Sequence, residues 1–236
     1  MAVFGRKKQE PVIEPVRWDR AGWFTVGEVL RPATLRRKAV TGELAVRVAT
    51  VHAGVRYFAP SVLVSRAGEE VPSYELYDAT EPESLLCALA PAKGGARYRV
   101  TDGQGQELGL VHRTLAAKRT IQHNWWLQQP GHPDIVARYH WAKGTVKEIA
   151  TRGKEKAVRG AGQLVEGVVD SVLSFGAEDV DNGSRYTPKP VTWRAGGEEQ
   201  DVALTSGHVE GVRTYLPHAS WLDRRLAFAL AVLREA

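Results

Sequence analysis

Between Trp23 and Trp141 the chain consists of short runs of β-branched and aromatic residues separated by Gly, Pro and Asp. Runs of this length and composition, bounded by turn-forming residues, are typical of β-strands. The pattern predicts strands at 23–29, 44–52, 55–59, 61–66, 73–78, 84–90, 96–101, 107–113, 120–128 and 134–141, and again at 190–194, 200–205 and 209–216. Many short strands at close spacing favour a barrel or a sandwich.

The clearest turn signal in this region is Asp102-Gly103, which is followed by Gln104 and Gly105. Asp-Gly supplies the positive φ angles that a tight hairpin turn requires. The sequence therefore predicts a hairpin whose strands lie on either side of residues 102–105.

From residue 143 onward the hydrophobic period changes from two residues to 3.6, which is typical of a helix. Small and apolar residues share one face of this segment and charged residues the other, which predicts a long amphipathic insertion at about 143–178 with a break near Gly160. Three interpretations of the insertion stay open. It packs on the outside of the β domain, it mediates self-association through residues 145–176, or it lies on a membrane surface.

The chain closes with eight consecutive apolar residues, from Leu226 to Leu233. A helix that is apolar all round has to be buried. Ser220, with Asp223 three residues later, predicts an N-cap and a helix over about 220–235. The apolar run is far shorter than the roughly 20 residues that span a bilayer, so we expect the helix to fill the interior of the β domain.

Composition fits a folded domain, with 43% hydrophobic and 25% charged residues among 236. Residues 1–20 contain Arg6, Lys7 and Lys8 without clear periodicity and predict a flexible basic arm, followed by a single domain at 21–236. The start has no apolar signal-peptide core, and we expect a cytoplasmic protein. The excess of Arg over Lys, with abundant Ala, Val and Gly, suggests a bacterial source. The single cysteine, Cys87, excludes an intramolecular disulfide and is predicted to be buried.

Four segments carry a family resemblance: Tyr98 to Val111, Ile121 to Leu127, Ile135 to Tyr139 and the C-terminal apolar helix. Together they resemble the tubby C-terminal-like superfamily, which includes tubby domains, phospholipid scramblases and LURP-one-related proteins. The resemblance implies a closed antiparallel β-barrel around a central hydrophobic helix. Scramblase-like proteins are also associated with a cysteine cluster and an acidic calcium-binding segment, and since this chain has only Cys87, scrambling activity is not implied.

Phosphoinositide binding in tubby-type domains uses basic surface residues, which directs attention to His112, Arg113, Lys118 and Arg119. Each basic group near an anionic lipid surface contributes about 1 kcal/mol. Arg113, Lys118 and Arg119 are the candidate anionic-lipid site. Arg36, Arg37 and Lys38 form a second cluster, and for both clusters an ordinary solvated loop is the alternative.

Motifs for catalysis, cofactors and metals are not found in the sequence. There is no nucleophile elbow, phosphate-binding glycine loop, dinucleotide fingerprint or His-Glu-x-x-His motif. The spacings of His123, His132 and His140 fit no standard zinc pattern. The acidic run at 178–183 has its glycine one position early for an EF-hand. We therefore assign no catalytic, cofactor-binding or metal-ligating residue.

The net charge of +5 suits an anionic partner. Nucleic acid is not favoured, because Trp125 and Trp126 point to opposite faces of a strand and cannot both form a stacking platform. The sequence predicts a non-enzymatic protein that associates with anionic phospholipid surfaces, cytoplasmic and peripheral at the membrane. The alternatives are an interaction or oligomerising scaffold that uses the insertion, and an enzyme of unknown class.

Overall fold

The computed structural model describes residues 11–35, 37–92, 96–113, 125–139, 190–196, 201–209 and 212–236. These ranges contain twelve β-strands, one α-helix and a single 3-10 turn at Trp18–Arg20. The strands are β1 (Thr25–Arg31), β2 (Val40–His52), β3 (Val55–Ala67), β4 (Ser73–Asp78), β5 (Leu85–Pro91), β6 (Arg97–Asp102), β7 (Glu107–Arg113), β8 (Trp125–Gln128), β9 (Ile135–Tyr139), β10 (Val191–Ala195), β11 (Asp201–Val209) and β12 (Val212–Pro217). The helix is α1 (Arg224–Glu235).

The twelve strands form one antiparallel sheet in which each strand pairs with its neighbours in sequence. The two edges of the sheet meet at Phe24 and Tyr215, whose backbone amides each donate to the carbonyl of the other residue over 2.9 and 2.8 Å. The sheet therefore curls into a nearly closed barrel, and this confirms the predicted antiparallel barrel.

Helix α1 fills the barrel. Leu226 to Val232 are all buried, and the ring of Phe228 packs edge-on against Phe24 at 4.8 Å between centroids. Because residues that face each other across an antiparallel pair point to the same side of the sheet, Val100, Val111 and Leu127 on successive strands project inward onto this helix. The expectation that the apolar C-terminal segment is the buried centre of a β domain is confirmed.

The predicted start of this helix was wrong. The N-cap is Asp223, whose carboxylate accepts a hydrogen bond from the backbone amide of Arg225 at 2.8 Å, whereas Ser220 lies in a turn before the helix. Asp223 is itself held in place, because its backbone amide donates to the side chain of Gln129 at 2.9 Å. A carboxylate is a good cap in its own right, so the helix begins three residues later than the capping-box spacing indicated.

The predicted hairpin at 102–105 is present, but its mechanism differs from the prediction. Gly105, and not Gly103, has the positive φ of +83°, as expected for a turn that ends in a left-handed residue. The requirement for glycine at position 103 is steric instead, since a Cβ there would lie 2.4 Å from the carbonyl oxygen of Leu85. The Asp102 carboxylate completes the turn by accepting from the amides of Gln104 and Gln106 at 2.9 Å each.

Pro60 joins the two predicted strands 55–59 and 61–66 into the single strand β3. It pairs with Arg47 at a register shift in the β2–β3 ladder, and its carbonyl accepts the amide of Val16 at 2.9 Å. A proline within a sheet is tolerated at such an irregularity, where its missing N–H costs no ladder hydrogen bond. The predicted break at Pro60 was therefore wrong.

The predicted helical insertion at about 143–178 lies outside the described residues, as do residues 1–10 of the predicted N-terminal arm. From Val16 onward the chain follows the barrel wall. Trp18 packs against the core, and Ala21 and Phe24 are fully buried.

The antiparallel order gives the barrel two distinct ends. The upper end is defined as the end at which the odd-numbered strands finish. The lower end is the opposite one. Helix α1 enters from the lower end, where Arg224 donates to the carbonyl of Ala21, and finishes toward the upper end, where Glu235 accepts from Arg213 at 2.9 Å. The upper end therefore gathers strand termini that are far apart in sequence.

Candidate functional site at the upper end of the barrel

The upper end carries most of the basic side chains found at either end of the barrel. Arg37 and Lys38 follow β1, Arg66 and Arg113 stand at the finish of β3 and β7, and Arg97 begins β6; all five are exposed. Three further guanidiniums at the same end are less exposed, and they belong to Arg31, Arg213 and Arg234. Among the described residues, the carboxylates there are Glu69, Glu70, Glu75 and Glu235.

The lower end has the opposite balance. Its described carboxylates outnumber its arginines and are Asp19, Asp78, Glu81, Glu83, Asp102, Glu107, Asp134, Asp201 and Asp223. Several of them are already paired with cations, as Asp19 is with Arg17 at 2.7 Å and Asp223 with Arg225 at 2.7 Å. Counted over the described residues, the barrel thus has a cationic upper end and an acidic lower end.

Exposed apolar side chains accompany the cations at the upper end. Leu35 lies in the β1–β2 connection, Val71 in the β3–β4 connection and Val209 at the finish of β11. Leu35 is fully exposed in a tight turn whose base is closed by backbone hydrogen bonds between Thr34 and Arg37. An apolar tip beside basic residues is the arrangement that favours the interface of an anionic membrane.

Five residues at the upper end lie on the inner face of their strands and form what we call the barrel mouth: Arg66, Tyr74, Tyr98, Arg113 and Trp125. The pairing of residues between neighbouring strands shows that these five side chains face the barrel interior. Arg66 pairs with Tyr74, and Arg113 pairs with Trp125. Tyr98 pairs with the buried Val111, two residues before Arg113 on β7. Each of the five stands within two residues of the upper terminus of its strand.

The rings of the barrel mouth are buried and its cations are exposed. Tyr74, Tyr98 and Trp125 retain 3%, 8% and 8% of their surface, and the guanidinium of Arg113 stacks over the Trp125 ring at 5.5 Å from its centroid. Burial raises the pKa of the Tyr98 hydroxyl, and Tyr74 adds to the rise, whereas Arg113 and Arg66 act in the opposite direction. The two guanidiniums are therefore close enough to act on the same phenol.

Of the predicted lipid-binding residues, Arg113 lies at the barrel mouth, whereas Lys118 and Arg119 lie outside the described residues. Arg37 and Lys38 of the second predicted cluster lie at the same upper end, on the connection after β1; Arg36 is outside the described residues. The described members of the two sequence clusters thus share one end of the barrel, although Arg37 and Arg113 are far apart along the chain.

His112 is not the surface residue that the sequence suggested. It keeps 7% of its surface, its ring stacks on Trp126 at 3.7 Å between centroids, and its Nε2 lies 2.8 Å from the Gln128 Oε1. Burial lowers the pKa of His112, with the Gln128 contact acting in the opposite direction. Trp125 faces the interior, as expected for one member of the Trp125-Trp126 pair.

Sequence reasoning missed Arg66, Tyr74 and Tyr98. The signal they share is position, because each lies within two residues of the terminus of a predicted strand, on the inward side of the alternation. Only the order of the strands in the sheet shows that these termini share one end.

The described residues contain no group of three His, Cys, Asp or Glu side chains that could hold a metal ion. His132 stacks on Trp221 at 4.4 Å, while His123, His140 and the acidic run at 178–183 lie outside the described ranges. Within those ranges, no helix has the length and apolar character needed to cross a membrane.

The fold and the site define an antiparallel β-barrel filled by its C-terminal helix and cationic at one end. No family model, curated protein or solved structure matches the chain. The similarity to the tubby C-terminal-like superfamily stays a prediction, as do self-association through residues 145–176, which are outside the described ranges, and the absence of enzymatic activity.

Proposed function

We propose that the protein is a non-enzymatic binding protein that associates with anionic phospholipid surfaces through the upper end of its barrel. One observation carries the proposal: exposed cations and exposed apolar tips occur together at that end, and the opposite end is acidic. The proposal agrees with what the tubby-like resemblance implies, and it places the protein peripherally on the cytoplasmic face of a membrane.

The charge on the upper end is sufficient for such binding. Each Lys or Arg near an anionic surface contributes about 1 kcal/mol. Five exposed cations among the described residues share this end: Arg37, Lys38, Arg66, Arg97 and Arg113. The contribution falls off within a Debye length of about 8 Å at physiological salt, so only the end that faces the lipid takes part. The acidic lower end is repelled by the same surface, and this gives the bound protein one orientation.

The apolar tips add a second, salt-independent contribution. Burial of apolar surface contributes roughly 25 cal/mol for each Å² removed from water. Leu35 and Val71 stand on connections at the upper end, where they would enter the interfacial layer when the cations meet the headgroups. Coulomb attraction brings the barrel to the surface, and the tips hold it there.

Sedimentation with vesicles tests the proposal. We expect the protein to pellet with vesicles of phosphatidylcholine and phosphatidylserine and not with phosphatidylcholine alone, and to be released by high salt. Because about 1 kcal/mol corresponds to roughly a fivefold change in partitioning, Arg66→Gln combined with Arg113→Gln should weaken binding about 25-fold.

Arg56→Gln is the matched control for the single variant Arg66→Gln, which should weaken binding about fivefold. Arg56 is exposed near the lower terminus of β3, the strand that carries Arg66 near its upper terminus, so the control removes one charge from the opposite end. Binding of this variant should stay within twofold of the parent. Equal losses for the upper and lower variants, or pelleting that salt does not affect, would contradict the proposal.

A further inference from the structure

We propose that the barrel mouth is a discrete binding site for a phosphate monoester, formed by the hydroxyls of Tyr74 and Tyr98 and the guanidiniums of Arg66 and Arg113. This inference rests on the proposed function for its biological setting, but it concerns a stoichiometric site instead of a charged surface. It also assigns ligand-binding roles to two tyrosines that carry no charge at neutral pH.

The tyrosine hydroxyls supply the first argument. Neither the Tyr74 nor the Tyr98 hydroxyl forms a hydrogen bond with another described residue. Neither hydroxyl oxygen is fully buried, since the fully buried polar atoms that lack a partner belong to other residues. Both rings are more than nine-tenths buried. The two phenols are therefore fixed by packing, while their O–H groups remain reachable from solvent at the mouth. Rigid donors of this kind bind an anion without losing much rotamer freedom.

The arginines supply the second argument. Arg66 and Arg113 stand on the inner face at the upper termini of β3 and β7, and the strands that carry the two tyrosines lie between them. Within the described residues neither arginine forms a salt bridge, and the stacking of Arg113 on Trp125 holds its guanidinium at the mouth. Guanidinium forks match the oxygens of a phosphate, with which they form paired, charge-assisted hydrogen bonds.

The donor set decides the class of ligand. The mouth presents two cations and two neutral hydroxyl donors. Glu75 follows Tyr74 directly but lies on the outer face of β4, where it accepts from the Tyr77 hydroxyl at 2.7 Å. Glu69 and Glu70 lie exposed on the β3–β4 connection, and neither forms an ion pair with a described residue. A phosphate monoester at neutral pH carries a charge of about −1.5 to −2 and three acceptor oxygens, which fits this set. A phosphodiester has one negative charge and two free oxygens, and it would leave part of the set unused.

A monoester could come from a lipid headgroup or from free phosphate, and three probes distinguish these sources. They are inorganic phosphate, measured by calorimetry, vesicles that contain phosphatidic acid, and vesicles that contain phosphatidylglycerol at the same surface potential. We expect phosphatidic acid to bind more tightly than phosphatidylglycerol. Tyr98→Phe and Tyr74→Phe should each weaken phosphatidic acid binding about tenfold, as expected for a hydrogen bond to a charged group, and change phosphatidylglycerol binding less than twofold.

Each outcome has one meaning. Tyrosine-dependent binding of inorganic phosphate supports the site with a free-phosphate source, and tyrosine-dependent binding of phosphatidic acid vesicles alone supports it with a lipid source. Salt-sensitive binding to both vesicles that is unaffected by Tyr98→Phe and Tyr74→Phe would overturn the site and leave the proposed function standing. Binding to neither vesicle would overturn the proposed function, and calorimetry with phosphate would still test the site. Both variants keep the aromatic ring and should therefore fold, which circular dichroism checks.

Discussion

Arg47 shows how a single charged residue can be part of the barrel wall. Its side chain is buried, and its guanidinium donates to the carbonyls of Gly27 at 2.8 Å, Phe58 at 3.2 Å and Glu43 at 2.5 Å. Burial lowers the pKa of this guanidinium, with Glu43 and Glu28 acting in the opposite direction. These bonds satisfy carbonyl groups near the irregular pairing of β1, β2 and β3, where unpaired buried groups would otherwise destabilise the fold.

The sequence could not indicate this role, because an arginine in a strand pattern is ordinarily an outward-facing polar residue. His112 escaped prediction for a similar reason, since its burial depends on Trp126 and Gln128 across the β7–β8 pair. Cys87, in contrast, lies among leucines, and the prediction that it is buried is confirmed. Burial is predictable where neighbours in sequence are apolar, and it is not where the covering side chain comes from another strand.

Cys87 makes stability depend on pH in the alkaline range. Burial raises the pKa of its thiol from an ordinary 9.0 to about 12, with a smaller opposing effect of Arg225. A raised pKa means that the folded state favours the neutral thiol. This contribution to stability is complete below pH 9.0 and is lost as the pH rises toward 12.

We expect the parent protein to lose about 1.4 kcal/mol of unfolding free energy per pH unit in this range beyond the loss shown by Cys87→Ala. Urea denaturation at several alkaline pH values measures the difference. Burial also raises the pKa of Tyr215, but that residue is present in both proteins and cancels in the comparison. Parallel stability curves for the two proteins would show that the thiol is not held neutral by the fold.

At the scale of elements, helix α1 and the strands depend on each other. The strands alone would enclose an empty interior, and the helix alone would expose an apolar surface all round. Gly109 on β7 illustrates how closely they fit, since a Cβ there would lie 2.1 Å from the Gln128 carbonyl oxygen and 3.2 Å from the Leu226 side chain. The helix was predictable from its eight apolar residues, but its N-cap was not, because the Gln129 contact that fixes Asp223 comes from the β8–β9 connection.

We expect Leu230→Asp to prevent folding of the whole barrel, because Leu230 is completely buried in the core and an unpaired carboxylate there costs far more than the domain can lose. Leu230→Ala, a milder change, should reduce the unfolding free energy by about 2–5 kcal/mol. Circular dichroism and thermal melting report both effects. The matched control is Leu216→Asp, a partly exposed leucine on β12, which should fold normally. A folded, soluble Leu230→Asp protein would be inconsistent with a helix that fills the barrel.

At the scale of the whole molecule, topology sorts charge between two ends. Arg37, Arg66 and Arg113 are widely separated in sequence, yet each falls near the finish of an odd-numbered strand and therefore at the upper end. The sequence suggests basic clusters but not their common end, because that requires the order and direction of every strand. The net charge of +5 indicates only a weak preference for anions, whereas the separation of charge among the described residues is what supports the proposed association with an anionic surface.

The orientation of the bound protein is the central claim, and a fluorophore sensitive to polarity measures it most directly. Single cysteines at Leu35→Cys and Val71→Cys, at the upper end, and at Val51→Cys, at the lower end, are labelled with a nitrobenzoxadiazole dye in the Cys87→Ala background. All three parent residues are exposed, so the label should not disturb the core. On addition of phosphatidylserine-containing vesicles, we predict a blue shift and an intensity rise at positions 35 and 71, reversed by salt, and no change at position 51. A shift at position 51 as large as at 35 and 71, or no shift at any position while the protein pellets with the vesicles, would contradict the account.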